Sequence, residues 1–117
     1  MPNDLNSQWN VIRDALRTFR DERDWAQFHN PKDLACAISV EAGELLDAFR
    51  WSGEDTGIEG REETVCEELA DVMIYCFYLA DTIGVDPIDI IAKKISLNEE
   101  HYPADKAQGN ARKYTEL

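Results

Sequence analysis

The sequence is short of positive charge. Its 117 residues include 12 lysines and arginines against 24 aspartates and glutamates, which gives a formal net charge of -12. Duplex nucleic acids are bound by basic surfaces that release counterions from phosphates, so this balance argues against a protein that binds duplex DNA or RNA. If the partner carries phosphate groups, something other than the protein surface has to supply the positive charge.

Long apolar runs and paired cysteines are also lacking. No stretch of about 20 apolar residues and no basic leader occurs, so we expect neither a membrane span nor a signal peptide, and the cytoplasm as the location. Cys36, Cys66 and Cys76 are odd in number and share no CxxC spacing. They lie within apolar helical patterns, so we expect small buried thiols rather than a disulfide or a thiolate metal site.

Strand-like alternation of apolar and polar residues is almost absent, and proline and glycine divide the chain into helical segments. The fold class is therefore predicted to be all-α, a four-helix bundle-type subunit formed by a single domain over residues 1–117. The predicted helices cover about 4–24, about 31–51, about 61–83, and from the DPID stretch at Asp86 to about His101.

Three further predictions concern the first helix, a loop and the tail. On the first helix, Arg13, Arg17 and Arg20 are assigned to the side opposite the apolar stripe. The stretch SGEDTGIEG, which has no periodicity, predicts a loop. The polar tail, from about residue 103, is expected to be irregular.

The third helix is unusually apolar. From Leu69 to Ala80 it reads LADVMIYCFYLA, with apolar residues nearly all the way round, whereas an outer helix of a small bundle keeps a wide polar face. A chain of 117 residues has little material to cover this surface. We therefore expect a homo-oligomer with this helix at the contact between subunits.

The strongest functional pattern is a pair of acid motifs. Glu41 and Glu44 are three residues apart and share one face of the second helix, with Glu41 inside an apolar stripe. The third helix repeats this spacing with Glu68 and Asp71. Carboxylates that converge repel one another unless a cation neutralises them, and Mg²⁺ or Mn²⁺ accepts such ligands and leaves room for a phosphate-bearing substrate. We expect a Mg²⁺ site, with Mn²⁺ as a possible substitute.

The acid motifs are also compatible with roles other than catalysis at a magnesium site. The acids could be solvated surface groups, since about a fifth of the chain is acidic. The protein could equally be a non-catalytic helical oligomer that binds divalent metal or nucleotide. A di-iron oxidoreductase would normally need Glu-x-x-His pairs, and neither His29 nor His101 has that spacing from the acids. His29 is expected to be a capping or loop residue without a role in the site.

Longer blocks surround the acid motifs. In chain order they are ERDWAQFHNPKDLA, EAGELLDAFRW, EELADVMIY and YPADKA...ARKYTEL. With these blocks, from about Phe19 onward, the chain resembles the MazG-like all-α nucleoside triphosphate pyrophosphohydrolases, in their dCTP pyrophosphatase-like branch.

The resemblance implies a Mg²⁺-dependent enzyme in which Glu41, Glu44, Glu68 and Asp71 hold the metal. Water would attack dCTP, or a related or non-canonical deoxynucleoside triphosphate, to give the monophosphate and pyrophosphate. Glu44 is a candidate general base, but the sequence does not choose among the glutamates. The expected assembly is a homotetramer built as a dimer of dimers, with a dimer as the alternative.

The resemblance also implies a base pocket lined by Trp25 and Trp51, because an aromatic face stacks on any base. Core tryptophans would give the same pattern. Tyr75 extends the line of Glu68 and Asp71 by one turn and is expected near the sugar or base. The other residues expected to contact substrate are Lys94, Asn98, Tyr102, Lys106, Arg112 and Lys113.

One departure concerns the base. Some dCTP pyrophosphatases have a base-contacting histidine on the first helix, and Leu16 stands at the position that aligns with it. A lost hydrogen-bonding side chain relaxes base discrimination. The sequence therefore supports the reaction more strongly than a cytosine preference.

Overall fold

The computed structural model describes residues 5–117, with side chains from Gln8 onward. Over these residues the chain is helical without a β-strand, as predicted, but it has five α-helices rather than four. None of them combines the length and hydropathy needed to cross a bilayer. The predicted start of the first helix, at Asp4, lies outside the described residues. The elements are α1 (Leu5–Glu22), α2 (Pro31–Asp47), α3 (Glu62–Ile83), α4 (Pro87–His101) and α5 (Ala104–Ala107), with 3-10 turns at Trp25–Phe28 and Tyr114–Glu116.

The chain divides into two compact units, one that ends at Ile83 and one that covers Gly84–Leu117. Gly84 marks the boundary with a φ of 77°, a left-handed conformation that ends α3 at little steric cost. The single domain over the whole chain stays a prediction.

Two predicted helix starts are confirmed. At α2, the Asp33 backbone N–H donates to Asn30 Oδ1 at 2.9 Å, and Pro31 takes the first helical position. At α4, the Ile88 backbone N–H donates to the Asp86 carboxylate at 2.8 Å. These caps mark where α2 and α4 begin.

The helices α2 and α3 pack as an antiparallel pair. Leu34, near the start of α2, packs with Phe77 and Tyr78, near the end of α3. At the opposite end of the pair, the Arg61 guanidinium lies 5.5 Å from the centre of the Phe49 ring. Residues in the middle of both helices therefore face one another, and the acid motifs lie there.

The helix α1 packs on α3 through aromatic and polar contacts. Trp9 meets Phe77 edge-on with ring centroids 5.6 Å apart, and the Tyr78 hydroxyl donates to the Leu16 carbonyl at 2.7 Å. Tyr78 is thereby buried with its polar end satisfied, which avoids the free-energy cost of an unpaired hydroxyl.

The arginines of α1 depart from the prediction. Arg17 Nη2 donates to Asp81 Oδ1 at 2.6 Å, and Arg20 Nη1 donates to Asp81 Oδ2 at 2.7 Å, which joins α1 to α3. The reason is helical geometry, because Arg20 follows Leu16 by one turn and so shares the face that packs on α3. Two of the arginines assigned to the opposite side of α1 are therefore part of the contact.

Replacing Asp81 with asparagine should lower the free energy of unfolding by about 2 kcal/mol near neutral pH, because Arg17 and Arg20 would donate to a weaker, neutral acceptor and Arg20 would keep only the exposed Asp21 as an ionic partner. Burial alone would raise the pKa of Asp81, but the hydrogen bonds from Arg17 and Arg20 lower it below its ordinary value of 3.8. The stabilisation is therefore present above that value and is lost as the pH falls through the lower folded pKa. Urea unfolding of both proteins across this range measures it; a difference that does not shrink on acidification would contradict the ion-pair explanation.

The end of α2 comes earlier than predicted, at Asp47 rather than near Trp51. Beyond it the hydrogen bonds tighten to a 3-10 pattern, with the Phe49 N–H donating to the Leu46 carbonyl at 3.0 Å. Trp51 has a φ of 63°, in the left-handed region, so the helix cannot continue through it.

The tail, expected to be irregular, folds locally within the unit Gly84–Leu117. The Tyr114 ring stacks on His101 with centroids 4.2 Å apart, and it meets Tyr102 edge-on at 5.9 Å. The Asn110 side chain also bonds to the backbone on both sides of it. The two ring contacts join residues distant in sequence, so no helical period indicated them.

The cysteine prediction is wrong, since Cys36, Cys66 and Cys76 are all exposed, although all are free thiols as expected. The physical reason is that α2 and α3 carry more apolar surface than one chain covers. Leu46 and Met73 are likewise 72% and 58% exposed. This exposed surface agrees with a homo-oligomer, which stays a prediction.

Candidate metal centre and adjacent pocket

Three of the four predicted acids form a cluster between α2 and α3. Glu41, Glu44 and Glu68 each offer a carboxylate oxygen, and these oxygens lie within 4.8 Å of one another. Glu41 and Glu68 are half-buried, whereas Glu44 is exposed. The antiparallel pairing of the helices produces the cluster by bringing the two acid motifs to one level.

The inner oxygens of the cluster lack protein partners. Glu41 Oε2 and Glu68 Oε2 are both shielded from solvent and accept no hydrogen bond from the described residues. Buried carboxylate oxygens are normally hydrogen-bonded or bound to a metal. Because these are hard oxygen ligands without a thiolate or imidazole among them, the donor set fits Mg²⁺ or Mn²⁺.

Burial and the neighbouring acids raise the pKa values of two carboxylates in the cluster. Burial raises the pKa of Glu41, and the neighbouring Glu44, Asp71 and Glu68 raise it further. Burial also raises the pKa of Glu68, followed by the charge of Glu44. A bound cation would favour the ionised form of both carboxylates.

Asp71 lies near the cluster but not within it. Its side chain is exposed, and its oxygens are not part of the group within 4.8 Å. Its negative charge nevertheless raises the pKa of both Glu41 and Glu68. The role of Asp71 as a fourth ligand stays a prediction.

A cavity of about 290 Å³ lies on the same two helices. Ala37, in its wall, precedes Glu41 by one turn of α2, and Tyr75 follows Asp71 by one turn of α3. One helical turn is about 5.4 Å, so the cavity adjoins the acid cluster. Its wall consists of Trp25, Phe28, His29, Asp33, Leu34, Ala37 and Tyr75.

Of the two tryptophans expected in a base pocket, one lines this cavity, and its contact with a base stays a prediction. Trp25 lines the cavity beside Tyr75, is 43% exposed, and meets Phe19 edge-on at 5.7 Å. Trp51 lies in the loop after α2 and is 93% exposed, outside the cavity wall. Neither is a core tryptophan, and substrate contact by Trp51 stays a prediction.

The cavity also contains residues for which we expected no such role, Phe28, His29 and Asp33. The His29 ring packs against Tyr78 at 4.9 Å, and its Nδ1 is buried without a hydrogen-bond partner. Burial and the charge of Arg20 lower its pKa, so the ring is neutral near pH 7. Helical periodicity could not indicate Phe28 and His29, because they lie in a 3-10 turn and at its cap; the aromatic cluster WAQFH was the available signal. Asp33 lies in the first turn of α2 and precedes Ala37 by one turn, so helical spacing was the available signal for this residue.

The remaining predicted contacts lie in the unit Gly84–Leu117. Within that unit, no described acid forms an ion pair with the cationic side chains, all of which are exposed. Exposed, unpaired cations are available to phosphate groups. The predicted substrate contacts in this unit, charged and uncharged, are Lys94 and Asn98 on α4, Tyr102 after it, Lys106 on α5, and Arg112 and Lys113 before the last 3-10 turn.

Known proteins resemble both the sequence and the structure. A model of the MazG-like family matches residues 36–117. The proteins named dCTP pyrophosphatase 1 from Homo sapiens and Mus musculus are 41% and 37% identical over alignments of 111 residues that cover 91% of this chain. The chain spans 65% of the length of each of these curated relatives. A crystal structure of a pyrophosphatase from Archaeoglobus fulgidus matches with a TM-score of 0.76 and 41% identity, over 82% of this chain and 93% of that one.

Proposed function

Because the chain belongs to the MazG-like family, we propose that it is a divalent-metal-dependent nucleoside triphosphate pyrophosphohydrolase. The observation that carries the proposal is the cluster of Glu41, Glu44 and Glu68, whose partnerless oxygens adjoin an aromatic cavity. The proposed substrates are dCTP or related and non-canonical deoxynucleoside triphosphates, which the names of the human and mouse relatives support. The products are the monophosphate and pyrophosphate, and the role is house-cleaning of the nucleotide pool.

The proposed metal ligands are Glu41, Glu44, Glu68 and Asp71, with Mg²⁺ as the ion and Mn²⁺ as a substitute. When bound, the ion supplies charge to offset the triphosphate and lowers the pKa of a coordinated water. The protein's own contribution is to hold the carboxylates on two packed helices, so that little reorganisation is needed during the reaction. Glu44, the exposed member, is the candidate general base because it is accessible to an attacking water.

The cavity beside the cluster is the proposed base site. Trp25 offers an aromatic face on which a base can stack, and Tyr75 lies between the cavity and the acids, near a sugar or base. Leu16 offers no hydrogen bond from its side chain, so discrimination has to come from other residues. The exposed ring of Trp51 is a second proposed stacking surface.

The unit Gly84–Leu117 carries the other proposed substrate contacts. Their cations suit the triphosphate, which the strongly acidic remainder of the protein would repel. The contacts between Tyr114, His101 and Tyr102 support this role by holding the basic tail in one conformation. The proposed residues are Lys94, Asn98, Tyr102, Lys106, Arg112 and Lys113.

We also propose a homo-oligomer, a tetramer built as a dimer of dimers or a dimer. Exposed apolar residues on α2 and α3 support it, Val40, Leu46 and Met73 among them. Light scattering at micromolar concentration should give a multiple of the mass of 13.4 kDa. A monomer at that concentration would contradict the assembly.

The proposed activity is tested with purified protein, a panel of deoxynucleoside triphosphates and Mg²⁺. We expect release of pyrophosphate, which a chelator abolishes and added Mg²⁺ or Mn²⁺ restores. Thermal stabilisation by metal or nucleotide without turnover would instead establish a non-catalytic binding protein.

Replacing Trp25 with alanine should raise KM by about 5- to 150-fold, because stacking on an aromatic ring contributes about 1–3 kcal/mol per base. Since the side chain is 43% exposed, its removal should leave the fold intact. We expect kcat to change much less, as for an interaction made equally in the ground and transition states. Steady-state kinetics of Trp25→Ala and Trp51→Ala, measured side by side, test both proposed stacking surfaces; an unchanged KM in Trp25→Ala would place the base elsewhere.

A further inference from the structure

We propose that Asp33 selects nucleobases that carry an exocyclic amino group, which makes it a specificity-determining residue of the base site. The inference rests on the proposed function, because it assigns the cavity to a base. It begins from the chemistry of the wall, where Asp33 is the one formally charged side chain among the described lining residues.

The Asp33 carboxylate is oriented by its neighbour. Asn30 Nδ2 donates to Asp33 Oδ2 at 2.7 Å, while the Asp33 backbone N–H donates to Asn30 Oδ1 at 2.9 Å. Among the described residues, no group donates a hydrogen bond to Oδ1. One oxygen is therefore fixed by the cap of α2, and the other is available to a ligand.

The charge of Asp33 is not neutralised within the wall. His29, the other titratable ring there, is neutral near pH 7, because burial and Arg20 lower its pKa. The nearby Asn30 amide is also uncharged. The Asp33 carboxylate at the edge of an aromatic cavity remains as the main polar feature.

A carboxylate accepts hydrogen bonds but cannot donate them. The 4-amino group of cytosine is a donor that aspartate recognises, whereas uracil and thymine present a carbonyl oxygen at the same position. That oxygen would face a negative charge and leave the carboxylate unpaired. Selection thus comes from one attractive and one repulsive interaction. Adenine and hypoxanthine differ in the same way at position 6.

The competing possibility is that Asp33 only stabilises the first turn of α2. The chain provides a matched control, because Asp89 occupies the equivalent place in α4, third after the cap and two residues after a proline. Asp89→Asn removes the same kind of acid from a helix start without changing the cavity wall.

The test compares kcat/KM for dCTP with that for dUTP, and for dATP with that for dITP, in the wild type, Asp33→Asn and Asp89→Asn. We expect the wild type to prefer the amino member of each pair, and Asp33→Asn to lower both preferences by about 5- to 150-fold, which corresponds to about 1–3 kcal/mol per base contact. Turnover of dUTP should persist in Asp33→Asn, and Asp89→Asn should keep the wild-type preferences. Unchanged preferences in Asp33→Asn, or an equal loss for both members of a pair, would overturn the inference.

A binding measurement separates this inference from the proposed function. Quenching of tryptophan fluorescence by dCMP and dUMP reports the same preference without turnover. If the protein binds both but hydrolyses no triphosphate, the proposed activity fails, while a dCMP preference lost in Asp33→Asn still supports the role of Asp33. If neither the wild type nor Asp33→Asn distinguishes dCMP from dUMP, the proposed role of Asp33 in base selection is wrong.

Discussion

Replacing Glu41 with glutamine should lower kcat by about 10³-fold while leaving the protein folded. Charge stabilisation by a metal site amounts to several kcal/mol, and each tenfold in rate is about 1.4 kcal/mol. Glu41 is the acid most deeply set in the apolar stripe of α2, and its Oε2 is buried without a partner. Glutamine keeps the size of the side chain but removes the charge that a divalent cation would require. Pyrophosphate release under saturating dCTP and Mg²⁺ measures the effect.

The matched control is Glu63→Gln, an exposed acid in the first turn of α3 that is not part of the cluster. It should retain near-wild-type turnover. Metal binding provides a second measurement. Mn²⁺ should raise the midpoint temperature of thermal unfolding of the wild type and of Glu63→Gln more than that of Glu41→Gln. Equal turnover in the two variants would show that the cluster is not the catalytic site.

Replacing Leu34 with alanine should lower the free energy of unfolding by about 2–5 kcal/mol, the usual cost of truncating a buried leucine. Leu34 is 2% exposed and packs with Phe77 and Tyr78 where α2 and α3 meet. The loss is large relative to the marginal stability of a small domain, because few residues share the burial. Urea unfolding followed by circular dichroism measures it.

Lys32→Ala is the control on the same helix. Lys32 is exposed, so its truncation should change stability by no more than about 0.5 kcal/mol. Leu34 also lines the cavity, and its truncation should therefore raise KM in addition to lowering stability. Equal destabilisation by the two substitutions would mean that the core does not lie where α2 and α3 cross.

The parts of the fold that could be predicted depend on local interactions. The caps at Asn30 and Asp86 each lie next to a proline, so both helix starts follow from a few adjacent residues. The end of α2 could not be predicted in this way, because it depends on a left-handed Trp51. The tail depends on stacking between Tyr114 and His101, which are separated in sequence by α5 and a turn.

The same distinction applies to the candidate site. The spacing of Glu41, Glu44 and Glu68 indicates shared helical faces, and antiparallel packing of two neighbouring helices then brings them together. Phe28 and His29 could not be assigned to the cavity, because their position depends on the 3-10 turn before α2 rather than on a helical period. Periodicity identifies the helical faces of a site, and irregular segments complete it.

The most direct test of the proposed reaction is the identity of its phosphorus products. We predict that ³¹P NMR of dCTP incubated with the protein and Mg²⁺ shows dCMP and pyrophosphate appearing together in equal amounts, with none formed in the presence of a chelator. Appearance of dCDP and orthophosphate, or no conversion of any deoxynucleoside triphosphate, would contradict a pyrophosphohydrolase built on the acids of α2 and α3.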